Sequence, residues 1–239
     1  MFNVTNYIKD NIKYVVNFIN ERKDLRARII RHGEKYKNLF CSMPFENCTI
    51  ESKGFVYLCC PAWLPKSIGN VNSNTLREVW NSKKAQKIRN SILDGSFQYC
   101  IEKYCPVLST KGRPDFCDIK GQYLTDIVSK KMVLLENGAK ILELNYDHTC
   151  NLFCRSCRTK AFSLKGEDLN KARIIQNKII KPVLKDIKEI VVTGPGDPLA
   201  SSLYREFLQN LDLSKYPQLR IELFTKGLLL TSNDVGQPA

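Results

Sequence analysis

Cys150-Asn151-Leu152-Phe153-Cys154-Arg155-Ser156-Cys157 places three thiols within eight residues. The run follows Ile141-Leu142-Glu143-Leu144-Asn145, an apolar stretch that predicts a strand. Thiolates are soft ligands that select zinc, copper(I) or iron–sulfur clusters. Structural zinc asks for four protein ligands, and a purely structural four-iron cluster asks for four cysteines. Three local cysteines leave one corner open, either for a group that is not protein or for a distant Cys or His that completes a zinc site.

Downstream, Lys188-Glu189-Ile190-Val191-Val192-Thr193 predicts a short buried strand that runs into Gly194-Pro195-Gly196-Asp197-Pro198-Leu199. Glycine lets a backbone approach a ligand closely, and the same composition also makes an ordinary strand-to-helix turn. Leu219 to Thr225 alternates as a third strand and reaches Lys226-Gly227. Between the strands, Gly166-Glu167-Asp168 opens a helix with Ile175, Ile179 and Val183 on one face, which Pro182 is expected to kink or restart. A second helix over about 199–211 carries Leu203, Phe207, Leu208 and Leu211. Strands alternating with helices imply parallel pairing. The 99 residues from Ile141 to Ala239 make three strand–helix units at ~30 residues each.

Cys150-x3-Cys154-x2-Cys157 after a first strand resembles the cluster motif of the radical SAM superfamily. Gly196-Asp197-Pro198 is similar to that family's Gly-Gly-Glu-Pro-like segment, with Pro195 and Asp197 as the departures, and Thr225-Lys226-Gly227 stands where the family often has Thr-Asn-Gly. The resemblance implies a 4Fe-4S cluster on Cys150, Cys154 and Cys157. Its fourth iron would be chelated by the amino and carboxylate groups of S-adenosyl-L-methionine. Reduction would then release a 5′-deoxyadenosyl radical that abstracts hydrogen from an unreactive C–H. By the same resemblance Gly194, Gly196 and Asp197 face the methionine amino group. Backbone at Ser156, where the family usually has an aromatic residue, meets the adenine. The family's partial barrel has six units. With three, this chain is expected to be truncated, a natural fragment, or a half-barrel that needs a partner, with an uncovered third strand at its edge.

Upstream lies a Cys-rich stretch, residues 38–118. Thr49 to Cys60 predicts a β-hairpin turning at Lys53-Gly54. Thr75-Leu76-Arg77-Glu78 is a capping box that opens a helix with Leu76, Val79, Trp80, Ile88 and Ile92 on its apolar face, ending at Asp94-Gly95. Cys41, the Gly54-x4-Cys59 step, Gly69-Asn70, the Leu76/Trp80-Asn81-Ser82 helix and the pair Cys100 and Cys105 resemble the SPASM domain, an auxiliary-cluster domain that accompanies many radical SAM enzymes. A hairpin and a helix too small to bury a full core are commonly stapled by metal. The resemblance implies one second 4Fe-4S cluster on Cys41, Cys59, Cys100 and Cys105, with Cys60 as an alternative to Cys59. Cys48 and Cys117 are left as thiols without a role. In familiar members this domain follows the barrel; here it precedes it.

The remaining stretches frame these two. Residues 1–37 predict a basic helix with Ile8, Ile12, Val15, Val16 and Ile19 on one face, read as a packing helix before a membrane-surface one. Residues 119–138 predict a linker helix burying Leu124, Ile127, Val128 and Leu135 and stopping at Asn137-Gly138, and residues 139–239 form the radical SAM-like core. With 43% hydrophobic and 26% charged residues the chain is globular rather than disordered. The expected fold class is α/β, a partial (β/α) barrel preceded by a small α+β Cys-rich domain. Ten cysteines with no signal peptide favour metal ligation in a reducing cytoplasm over a disulfide framework. No run approaches the ~18 apolar residues of a membrane span. A net charge of +13 admits nucleic acid as a partner. The absence of interleaved aromatic and basic residues puts it behind a peptide or protein substrate, the class that related SPASM enzymes modify. A reductant such as flavodoxin or ferredoxin is implied with it. Three other readings stay open: radical chemistry on a nucleic acid or sugar, a non-catalytic iron–sulfur or electron-transfer module, and a zinc-binding interaction domain.

Overall fold

The structure is a computed structural model that describes residues 35–36, 38–109 and 119–231. The expected basic helix lies almost wholly outside the described residues, and so does Cys117. Lys53 and Gly54 both take positive φ, 60° and 78°. They close a short 3-10 turn that reverses the chain between β1 (Asn47–Glu51) and β2 (Phe55–Tyr57). Thr49 pairs with Tyr57 and Ile50 with Val56, the hairpin that the sequence predicts. β3 (Gly69–Asn70) extends it on the outer side.

The other edge of the hairpin is not free. β1 runs parallel to β4 (Ile141–Asn145) in a register of five pairs, Asn47 with Ile141 through Glu51 with Asn145. β5 (Glu189–Val192) and β6 (Arg220–Leu223) continue in parallel, giving one mixed sheet in the order β3-β2-β1-β4-β5-β6. The sheet is thus shared between the Cys-rich stretch and the strand–helix stretch, a pairing across more than ninety residues that no local pattern announces.

Side chains alternate across a strand. Cys48, Ile50, Leu142, Leu144, Ile190 and Val192 are fully buried on one face. They share one core with Val79, Trp80, Ile88, Ile92, Ile175, Leu203 and Phe207 from the helices. The opposite face is more polar and, outside buried Asn47 and Thr49, half-buried: it sets Thr49 beside Glu143 and Glu51 beside Asn145.

The helices are α1 (Met43–Glu46), α2 (Leu76–Trp80), α3 (Lys83–Leu93), α4 (Pro106–Ser109), α5 (Gln122–Ser129), α6 (Gly166–Val183) and α7 (Ser202–Gln209). Thr75 and Glu78 form the expected capping box on α2. The single helix expected from 75 to 94 is two. Ser82 accepts from the Ala85 N–H and caps a new helix, α3. The Asn81 side chain is drawn away to the Leu135 backbone, donating to its carbonyl at 2.7 Å and accepting from its N–H at 3.0 Å. The expected linker helix is also shorter: it ends at Ser129, Lys131 turns at φ 48°, and Leu135 is buried from an irregular segment. Pro182 neither restarts nor divides α6, because it stands one residue from its end.

Candidate metal centre and cofactor cavity

Parallel strands deliver their following loops to one end of a sheet, where ligands bind in open α/β sheets. The loops after β4, β5 and β6 meet there. The first is fixed from below by α7. The Tyr204 hydroxyl oxygen accepts the backbone N–H groups of Tyr146 at 3.0 Å and Asp147 at 3.1 Å. Ser201 donates to the Asp147 carboxylate at 2.6 Å, and that carboxylate accepts the Thr149 N–H at 2.8 Å. Tyr204, Ser201 and Asp147 are all buried. Sequence reasoning missed Asp147, Ser201 and Tyr204. An isolated Asp, Ser or Tyr carries no signal until the fold brings it under the cysteine loop.

Above this support, Cys150 forms an antiparallel bridge to Phe162, and Cys157 and Arg158 turn back onto the Cys154 carbonyl. Cys150, Cys154 and Cys157 then line one cavity of about 130 Å³, together with Leu152, Arg158, Gly194, Pro195, Gly196 and Lys226. The Leu152 N–H donates to the Cys150 sulfur at 3.4 Å, and the Lys226 ammonium lies 3.1 Å from the Cys154 sulfur. The bond to Cys154 raises the Lys226 pKa; desolvation works against it, and the charges of Cys154, Cys150 and Cys157 add to the rise. Among the described residues no three Cys, His, Asp or Glu side chains are gathered as a site for a metal ion. The three sulfurs share a cavity without closing on one point.

Both glycines are required by their surroundings. Gly194 has φ +124°, and a Cβ there would lie 1.7 Å from the Asn145 side-chain oxygen. A Cβ on Gly196 would meet the Thr149 carbonyl oxygen at 2.6 Å. Asp197 and Ser156 do not line the cavity. Ser156 is exposed. Asp197 is buried, and its carboxylate is turned into the loops: it accepts from the Leu199 N–H at 2.9 Å, the Thr225 hydroxyl at 2.9 Å and the Lys226 N–H at 3.0 Å. Asp197 thereby ties the loop after β5 to the loop after β6, and its own N–H donates to Thr149 of the cysteine loop at 2.8 Å.

The second cysteine group lies in the N-terminal stretch. Cys41, Cys59 and Cys105 are buried and Cys100 is half-buried. Burial pushes the Cys59 thiol up, and the charge of Cys41 adds to it. Burial likewise pushes up Cys100, with Cys105 and Cys59 adding. Charge coupling thus links Cys41 to Cys59, Cys59 to Cys100 and Cys100 to Cys105, and no three of them are gathered as a site for a single metal ion. Trp63 donates its indole N–H to the Cys59 sulfur at 2.9 Å. Cys60 is half-buried; burial raises its thiol first, the Ala62 backbone works against it, and the charges of Glu143 and Glu51 add to it. Cys48 sits in the core of β1, its thiol pushed up to about 12 by burial. No disulfide links the nine described cysteines.

Residues 41–106 match the family model of SPASM, an iron–sulfur cluster-binding domain. Cys41, Cys59, Cys100 and Cys105 all fall within that match. No curated protein and no solved structure matches the chain. Among the described residues no helix is long and apolar enough to cross a membrane.

Proposed function

We propose that the chain is a radical SAM-type iron–sulfur protein with two clusters, one on Cys150, Cys154 and Cys157 and one on Cys41, Cys59, Cys100 and Cys105. The observation that carries this reading is the cavity at the ends of three parallel strands. Three thiols and two glycines line it, and among the described residues no fourth Cys or His does. The donors fit a 4Fe-4S cluster: they are soft, they number three, and they surround a space rather than a point, as a cluster wider than one ion requires. When bound, the cluster with S-adenosyl-L-methionine supplies a radical able to abstract hydrogen. The chain's own residues do the positioning. Tyr204 and Asp147 hold the cysteine loop, Gly194 and Gly196 keep the wall free of side chains, and Asp197 fixes the loop that carries Lys226. A peptide or protein is the proposed substrate class, resting on the SPASM match, and a low-potential reductant of the flavodoxin or ferredoxin kind is the proposed electron donor.

The test is anaerobic reconstitution of the full chain, followed by iron and sulfide counts and EPR of the reduced protein with and without S-adenosyl-L-methionine. The expected outcome is two clusters, one of which changes its spectrum with the cofactor and yields 5′-deoxyadenosine. Cys154→Ala should remove that cluster and spare the other. Clusters that ignore the cofactor would leave an electron-carrying module, and zinc without iron would overturn the reading.

A further inference from the structure

We propose that Lys226 sets the reduction potential of the cluster held by Cys150, Cys154 and Cys157, by placing a fixed cation against the Cys154 sulfur. The inference rests on the reading of those three cysteines as cluster ligands. Its own ground is geometry. The Lys226 ammonium stands 3.1 Å from the Cys154 sulfur and lines the cavity that all three thiols share. The residue sits on a rigid mount. Its backbone N–H is held at 3.0 Å by the Asp197 carboxylate, which also takes the Thr225 hydroxyl at 2.9 Å, and Asp197 is 3% exposed.

The physical consequence has a definite sign. Reducing the cluster adds one electron, delivered by an external low-potential donor, and no bond forms or breaks. A cation beside a ligating sulfur stabilises the extra negative charge more than it stabilises the oxidised form. Hydrogen bonds to cluster sulfurs and net charge are among the quantities that fix such potentials. Lys226 therefore raises the potential and eases reduction. Water around the exposed ammonium screens the effect without removing it. In the N-terminal group a neutral donor, the Trp63 indole, stands against the Cys59 sulfur at 2.9 Å.

The experiment is an EPR-monitored redox titration, with dithionite as reductant and no S-adenosyl-L-methionine present, on the reconstituted full chain. Wild type, Lys226→Met, Lys226→Arg and Cys154→Ala are compared, and iron is counted in each. The signal that Cys154→Ala removes identifies the cluster. At a poise near the wild-type midpoint, Lys226→Met should lower the ratio of reduced to oxidised cluster about tenfold, a 59 mV shift for one electron. Lys226→Arg should return it to within about threefold of wild type. If Lys226→Met does not take up iron, Lys226→Gln is titrated in its place with the same expected sign. An unchanged midpoint at full iron content would overturn the inference and leave the proposed function standing. A Cys154→Ala protein that keeps all its iron and signals would overturn the proposed function and this inference with it.

Discussion

Gly194 accepts no side chain, for two independent reasons. Its φ of +124° belongs to a region that L-residues rarely enter, and the space where a Cβ would stand is filled by the Asn145 side chain. Gly194→Ala is expected to destabilise the fold by about 1–3 kcal/mol from backbone strain alone, read as a lower urea midpoint. Glu143 carries a different kind of constraint. Burial holds its carboxyl above the ordinary carboxylate range; the bond from Thr49, at 2.7 Å, works against burial, and the neighbouring Glu51 works with it. A raised folded-state value means that ionisation opposes folding. The contribution is fully present below the unfolded value, roughly 4.3, and is lost as pH rises through the folded one. Glu143→Gln should therefore raise the urea midpoint at pH 7, with the gain shrinking toward pH 4. An equal gain at both pH values would refute the assignment of the shift to Glu143.

At the scale of elements, α7 acts as the foundation of the cysteine loop. Tyr204→Phe keeps the ring but leaves the Tyr146 and Asp147 N–H groups without their acceptor. Buried donors left unpaired cost about 1–3 kcal/mol each. The variant is expected to lose about 2 kcal/mol or more in urea unfolding. It should also take up less iron at the cysteine loop while the N-terminal iron is kept. The elements themselves were largely legible in the sequence. The runs at 141–145, 188–193 and 219–225 became β4, β5 and β6, because a buried strand needs little beyond a short apolar run between turn residues. The capping box at Thr75 was equally local. What was not legible depended on partners far along the chain. The break at Asn81-Ser82 exists because the Leu135 backbone claims the Asn81 side chain, and Leu135 left its expected helix for the same contact. At the site, the cysteines and glycines could be read from their spacing. Lys226 looked like a failed Asn, and its meaning appeared only when β6 set it opposite Cys154.

At the scale of the molecule, the parallel pairing of β1 with β4 makes one sheet out of two stretches with different sequence character. Both tryptophans, Trp63 and Trp80, lie in the stretch that matches SPASM. Indole fluorescence therefore reports on that stretch, whereas far-UV circular dichroism reports on the whole chain. Urea unfolding followed by the two probes should give coincident transitions. Ile50→Ala, which empties a fully buried position on β1, should move both by the same amount, about 2–5 kcal/mol. Transitions that separate would mean that the two stretches melt independently and that the shared sheet is a weak joint. Buried Arg89 ties the Cys-rich stretch to the segment that leads into β4 on the core side. It donates to the Pro44 carbonyl at 2.9 Å and the Val133 carbonyl at 3.0 Å, and stacks its guanidinium over Trp80 at 4.3 Å.

The five-pair register between β1 and β4 also makes the protein divisible in a useful way. A gene cut within residues 110–118 would yield two polypeptides, each carrying one side of the same parallel seam. Alone, each would present a bare strand edge and tend to aggregate through it. Produced together, they should find each other and rebuild the sheet as a split protein, with the cysteines of the SPASM-matching stretch on one piece and the Cys150–Cys157 loop on the other.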